Sequence, residues 1–181
     1  MLNKPRRRGL AAAGIAVAAS ALAWTSLASG AGSSSAPNRV VVKAVMKGNQ
    51  MAYVLSGDSI QSGGKLVIKD PSGAPHTLSL VTKNLVPRTR AQMQNCFKTG
   101  HICRAIAKWH KAPNNGPPKV NPVDVGKPGW DTEGNLNRKG DSVFFTPKKP
   151  AATRVVSAAP GTTLHFICAV HPEMHGTLHV K

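Results

Sequence analysis

The chain has 181 residues, enough for one domain of ordinary size once any targeting segment is set aside. It carries 24 Lys and Arg against 7 Asp and Glu, a formal net charge of +17, yet the cations are scattered and aromatic residues make up only 4%. That pattern argues against a nucleic-acid-binding protein, which needs a basic stripe or patch. Among seven acidic residues no paired-carboxylate, Ser-His-Asp or phosphate-loop motif stands out, which argues against an enzyme.

The N-terminus opens with Lys4, Arg6, Arg7 and Arg8, followed by an uncharged, Ala-rich run from Gly9 to about Ala28. Small residues close it, as Ser26-Leu27-Ala28 or Ser29-Gly30-Ala31. This order predicts a secretory signal peptide over residues 1–31. A retained anchor is the alternative, because a run of about 20 residues can span a bilayer. The three arginines suit either the general or the twin-arginine export route. The expected setting is therefore the periplasm, the cell envelope or the exterior. Without the four leader cations the remaining chain still carries a net +13. Such a charge speeds encounter with an acidic redox partner, or with an anionic cell envelope or membrane surface, and it equally serves solubility. A monomer is expected.

A Ser/Gly-rich linker, residues 32–38, leads into the predicted domain, residues 39–181. Arg39–Met46 is Val-rich and strand-like. Met51–Leu55 and Lys65–Lys69 follow, separated by Gly57 and Gly63-Gly64. Pro75–Val81 then alternates, with Leu78 and Leu80 on one face. Near the C-terminus, Ser142–Thr146, Thr153–Ser157, Thr162–Cys168 and Gly176–Val180 are strand-like again, with a turn at Pro160-Gly161. Eight or so short strands of this kind predict an all-β fold, a β-sandwich. The middle, about residues 84–140, breaks the rhythm. Arg88–Asn95 and Ile102–Lys111 look helical, and a Pro/Gly/Asn-rich stretch follows, with Val123 and Val125 as anchors. It reads as an insertion packed on the sandwich.

Three cysteines is an odd count for an exported chain, which one disulfide and one metal-bound cysteine would resolve. Cys96 and Cys103 are the expected disulfide. Within one continuous helix their Cα atoms would stand roughly 10.5 Å apart, beyond the ~7 Å a bridge tolerates. The helix must therefore break between them, at Thr99-Gly100, giving a stapled helical hairpin.

The sharpest chemical signal is Cys168-Ala169-Val170-His171-Pro172-Glu173-Met174-His175-Gly176. Directly after a strand it sets out a thiolate, an imidazole and a thioether at three-residue spacing. Copper that alternates between two oxidation states suits this set, since a His₂Cys site with a weak axial Met is the blue-copper arrangement. On a continuing strand Cys168 and His171 would face opposite ways, so the segment must curl into a loop that Pro172 stiffens and Gly176 lets the chain leave. His76 is the candidate for the second imidazole, because it starts an alternating strand after Gly73-Ala74-Pro75. The metal-ligand set is thus His76, Cys168, His171 and Met174. His175 is a candidate supporting group beside Met174. His165 and His179 have the phase of outward strand positions, and His101 and His110 are expected to be solvated helix residues.

In these motifs the sequence resembles the cupredoxin family, and its ligand loop is most similar to that of amicyanin-type proteins. The resemblance covers about Arg39–Val81 and Ser142–Lys181 and leaves the insertion outside it. It implies a Greek-key sandwich with one type 1 copper ion at one end and His171 as the electron port, ringed by Ala74, Pro75, Ala169 and Pro172. Many relatives carry Asn after the first His ligand, tying the two ligand-bearing segments together. Here Thr77 stands there, with a hydroxyl that could do the same. The function implied is an exported shuttle of single electrons between redox partners, and the alternative is a copper carrier or store without redox turnover. A multicopper enzyme is disfavoured, because Ile167 and Ala169 flank Cys168 where such enzymes place a bridging His.

Overall fold

The computed structural model describes residues 35–113, 120–121, 123–126 and 128–181. The expected leader, the first three linker residues and part of the Pro-rich stretch lie outside the described residues. From Ser34 onward the chain forms one compact unit. Among the described residues no helix is long and apolar enough to cross a membrane.

The strands, in chain order, are β1 (Arg39–Lys47), β2 (Gln50–Leu55), β3 (Ser59–Ile60), β4 (Lys65–Lys69), β5 (His76–Leu80), β6 (Asp124–Val125), β7 (Ser142–Phe145), β8 (Ala151–Val155), β9 (Thr163–Ile167) and β10 (His175–Val180). They form two sheets, ordered β2-β1-β4-β8 and β3-β10-β9-β5-β7-β6. The chain passes back and forth between the sheets, and β1 lies parallel to β4 while β2 and β8 run antiparallel beside them. The result is the β-sandwich that the strand rhythm predicts.

Alternation builds its core. Val40, Val42, Ala44, Leu66 and Ile68 from the first sheet meet Leu78, Leu80, Leu164, Phe166, Leu178 and Val180 from the second. Residues of opposite phase on one sheet point to opposite faces, so Arg39, Lys43, Lys65 and Lys69 are exposed on the outside of the first sheet. β8 starts two residues earlier than its sequence suggests, because pairing with all of β4 sets its register from Ala151 to Val155.

The second sheet behaves differently, since its outer face is covered. Between β5 and β6 lie a short 3-10 turn (Lys83–Leu85), α1 (Arg90–Asn95) and α2 (Ile102–Trp109). Thr89 caps α1 in a reciprocal box with Gln92. α2 buries Ile102, Cys103, Ala105, Ile106 and Trp109, one stripe at helical spacing, against Val81, Ile167 and Ala169. Cys96 and Cys103 are bridged with a Cα–Cα distance of 5.1 Å, and the chain turns between the helices at Gly100 with φ of 81°. The stapled hairpin follows the expectation from sequence. Val125 also anchors the segment, through pairing of β6 with β7.

This cover overturns two expectations. His110 is 2% exposed and its Nε2 stands 2.7 Å from Ser142 Oγ, because the end of α2 faces the sheet and not solvent. His165 points outward from β9 as its phase demands, yet it is buried, and its Nδ1 lies 2.7 Å from Glu133 Oε1. His101 and His179 are exposed, as expected.

Candidate metal centre

The two segments that carry the candidate residues meet because β5 and β9 are hydrogen-bonded neighbours. His76 opens β5 on its core-facing side, opposite Phe145 of β7. Cys168 follows the last residue of β9 in the same inward phase as Phe166 and Leu164. After Cys168 the chain turns tightly instead of continuing the strand. The Cys168 N–H donates to the Met174 carbonyl at 2.8 Å, and the Met174 N–H donates to the His171 carbonyl at 2.9 Å. β10 then pairs back on β9, with His175 opposite Ile167. Gly176 has a reason beyond letting the chain leave the loop. A Cβ there would stand 2.5 Å from the Phe166 ring, so the ring packs against bare backbone.

This fold brings together three ligating atoms. His76 Nδ1 is 3.7 Å from Cys168 Sγ, His171 Nδ1 is 3.9 Å from Sγ, and the two nitrogens are 3.1 Å apart. These residues form the one His/Cys/Asp/Glu cluster of metal-holding dimensions found among the described residues. A triangle with those sides has its centre about 2.1 Å from every corner, within a few tenths of an ångström of ordinary metal–imidazole and metal–thiolate bond lengths. The donor set therefore fits a small, borderline-soft ion. Met174 is wholly buried, and its backbone ties it to both Cys168 and His171.

Around the donors, polar groups are few and directed. The Thr77 and His171 N–H groups donate to Cys168 Sγ at 3.4 and 3.3 Å. Burial pushes the Cys168 thiol above its ordinary pKa, and those N–H groups, with that of Val170 and the Tyr53 hydroxyl, pull it part of the way back. Thr77 also accepts from the Ala169 N–H through its hydroxyl at 2.8 Å. One residue thus links both ligand-bearing segments, the role that the resemblance gives to Asn. Tyr53 reaches across from β2 and donates to the Thr77 carbonyl.

Sequence reasoning missed the support of His76. Its Nε2 stands 2.8 Å from Ser72 Oγ, and Asp70 Oδ1 accepts from both the backbone N–H and the hydroxyl of Ser72. Asp70 is 6% exposed, and its Oδ2 has no hydrogen-bond partner among the described residues. Burial lowers the His76 pKa below the usual histidine value, and Asp70 opposes that shift. With Nε2 engaged by Ser72, the Nδ1 lone pair is free to face Sγ. Asp70-Pro71-Ser72-Gly73 is readable as an Asx turn. That its carboxylate turns inward is not.

His171 is half-buried, at the edge of the cluster, while His76, Cys168 and Met174 are buried. Ala74, Pro75, Val170 and Pro172 are also half-buried. Ala169, expected on the rim, is instead 3% exposed and packs with the α2 cluster. His175 is exposed, and the adjoining burial and Arg88 lower its pKa.

No family model matches the sequence, and no curated protein matches it. Solved structures do. Reduced auracyanin from Roseiflexus castenholzii aligns at 15% identity over 81% of this chain and 98% of its own, with a TM-score of 0.42. Amicyanin from Paracoccus versutus aligns at 13% identity over 82% and 83%, with a TM-score of 0.36. Auracyanin A, a "blue" copper protein from Chloroflexus aurantiacus, aligns at 19% identity over 79% and 99%, with a TM-score of 0.34. Each of these likenesses extends over about four fifths of this chain.

Proposed function

We propose that this protein would hold one copper ion through His76 Nδ1, Cys168 Sγ and His171 Nδ1, with the buried Met174 as a further, weaker sulfur donor, and that it carries single electrons. The observation that supports this most directly is the triangle of three buried or half-buried donors with a bonding-distance centre. Copper in such a site supplies reversible one-electron chemistry. The chain's own residues do the rest. Ser72 keeps the His76 ring oriented, N–H groups from Thr77, Val170 and His171 stabilise the Cys168 thiolate, and the cores on either side exclude water. Half-exposed His171 connects the buried donors to the surface, which makes it the route for the electron. Residues 1–31, with the sequence of a leader, support export as the setting.

Copper(II) added to the purified protein should produce an intense visible thiolate-to-copper band that a mild reductant bleaches and air or ferricyanide restores. Cys168→Ser should lack the band. The same band in Cys168→Ser would refute the ligand assignment. A colourless complex that yields copper(I) to a chelator would favour the carrier over the electron shuttle.

A further inference from the structure

The outer face of the β2-β1-β4-β8 sheet has a charge pattern that no ion pair within the described residues explains. Arg39, Lys43 and Lys47 stand on it from β1, and Lys65 and Lys69 from β4, all exposed. The parallel register puts Arg39 beside Lys65 and Lys43 beside Lys69. Like charges directly opposite on one face of a sheet destabilise it. Here two such pairs recur on the same two strands, and among the described residues no acidic side chain forms an ion pair with them. Asp70 is buried beneath the end of β4, and Asp124 pairs with Arg154, whose phase on β8 is inward. Glu133 holds His165, and Asp141 is buried and accepts from the Asp131 and Thr132 N–H groups. No ion pair among the described residues involves any of the five cations.

Between the cations the face is apolar. Val41, Val45, Val54, Val67 and Val155 share it, and Val54 and Val155 are 46% and 48% exposed. We infer that this face docks the protein on an anionic lipid bilayer. The five cations do not converge on one point, as they would to hold a single phosphate or carboxylate. Along β1 they recur every fourth residue, about 13 Å apart, which suits an array of many anions. Lipid headgroups can move laterally to match any such spacing, and the short valines can enter the headgroup zone where apolar groups gain by burial. An acidic protein would need carboxylates fixed at the same positions. Anions seated between the paired cations also remove the cross-strand repulsion that the free face bears. This inference is independent of the copper reading, because it uses no atom of the metal centre.

The test uses the unit from Ser34 to Lys181, which contains the core of the described residues, so that the apolar N-terminal run cannot itself bind lipid. Partition is measured into phosphatidylcholine vesicles with and without 30 mol% phosphatidylglycerol (about a third anionic, so that surface charge governs binding). Binding should require the anionic lipid and fade as salt rises. Each cation at such a surface is worth about a fivefold change in partition. Lys43→Gln/Lys69→Gln should therefore weaken binding by about 25-fold, whereas Lys98→Gln/Lys139→Gln, of equal charge and exposed elsewhere, should weaken it less than threefold. Equal loss in the two variants would overturn the inference in favour of net charge alone. So would absence of binding to the anionic vesicles, or face-dependent binding to a soluble polyanion but not to vesicles. Both variants should keep the wild-type unfolding midpoint or exceed it, since the face variant removes a like-charge pair.

Discussion

Asp70 and Ser72 show how much of the candidate metal centre lies outside its proposed ligands. A metal-bound imidazole is held by what its other nitrogen touches, and losing that contact commonly costs 10- to 100-fold in metal affinity. Ser72→Ala would leave His76 Nε2 facing a buried carboxylate across 3.7 Å without the bridging hydroxyl. Copper affinity in a competition titration should fall about 10- to 100-fold, with the fold retained. Asp70→Asn should raise the reduction potential, because it removes a buried negative charge that favours the more highly charged oxidised ion. A potential equal to or below that of the unmodified protein would show that the Asp70 side chain does not act on the site electrostatically. Spacing made the meeting of Cys168 and His171 legible, since a curled loop after a strand is a local matter. His76 was legible from Pro75 and the alternation after it. Asp70, Ser72 and Tyr53 were not, because only the tertiary fold decides that two turn residues and a tyrosine from the opposite sheet point inward.

At the scale of elements, the unusual feature is a polar chain buried between α2 and the second sheet. His110 Nε2 meets Ser142 Oγ at 2.7 Å, Ser142 meets Ser79 Oγ at 2.6 Å, Ser79 donates to Thr77 Oγ1 at 3.1 Å, and Thr77 accepts from the Ala169 N–H at 2.8 Å. An uncovered sandwich would turn Thr77, Ser79 and Ser142 to water. Here the helices cover them, so they satisfy one another. Replacing Ser142 by Ala would take a partner from both His110 and Ser79 in a dry layer. The expected cost is about 1–3 kcal/mol, in the range for a buried polar group left unsatisfied, read from urea unfolding. A change of only a few tenths would mean that water replaces the hydroxyl. The strands, the hairpin and its disulfide were readable from alternation, helical spacing and the break at Gly100. The surfaces that α2 and Glu133 cover were not, and so His110 and His165 read as solvated. Residues polar by type and outward by phase carry no mark that another element will lie over them. The two-residue strands β3 and β6 are too short for any period to show.

For the molecule as a whole, the same centre that can receive a metal sets how the metal-free protein responds to pH. The His76 pKa is lowered in the folded state, chiefly by burial. The unfolded chain therefore binds more protons just below about pH 6.5, and this group's contribution to stability is lost as pH falls through that region. Cys168 is shifted the other way, its thiol raised by burial above the ordinary 9.0. Its contribution is complete below that value and is lost as pH rises through the folded pKa, because the unfolded thiol ionises first. Tyr53, raised well above 10.0 by burial and then by Cys168, adds to the alkaline loss at higher pH. The denaturant midpoint of the metal-free protein should thus form a plateau from about pH 6.5 to 9, falling on both sides. Copper binding requires deprotonated sulfur and neutral imidazole. The loaded protein should therefore keep the acid decline, where protons compete with the metal for its donors, and lose the portion of the alkaline decline that belongs to Cys168. In Cys168→Ser that portion should be missing even without metal. An alkaline decline of equal size in loaded, metal-free and Cys168→Ser protein would mean that the sulfur at the end of β9 does not titrate, and the link between its burial and metal binding would fail.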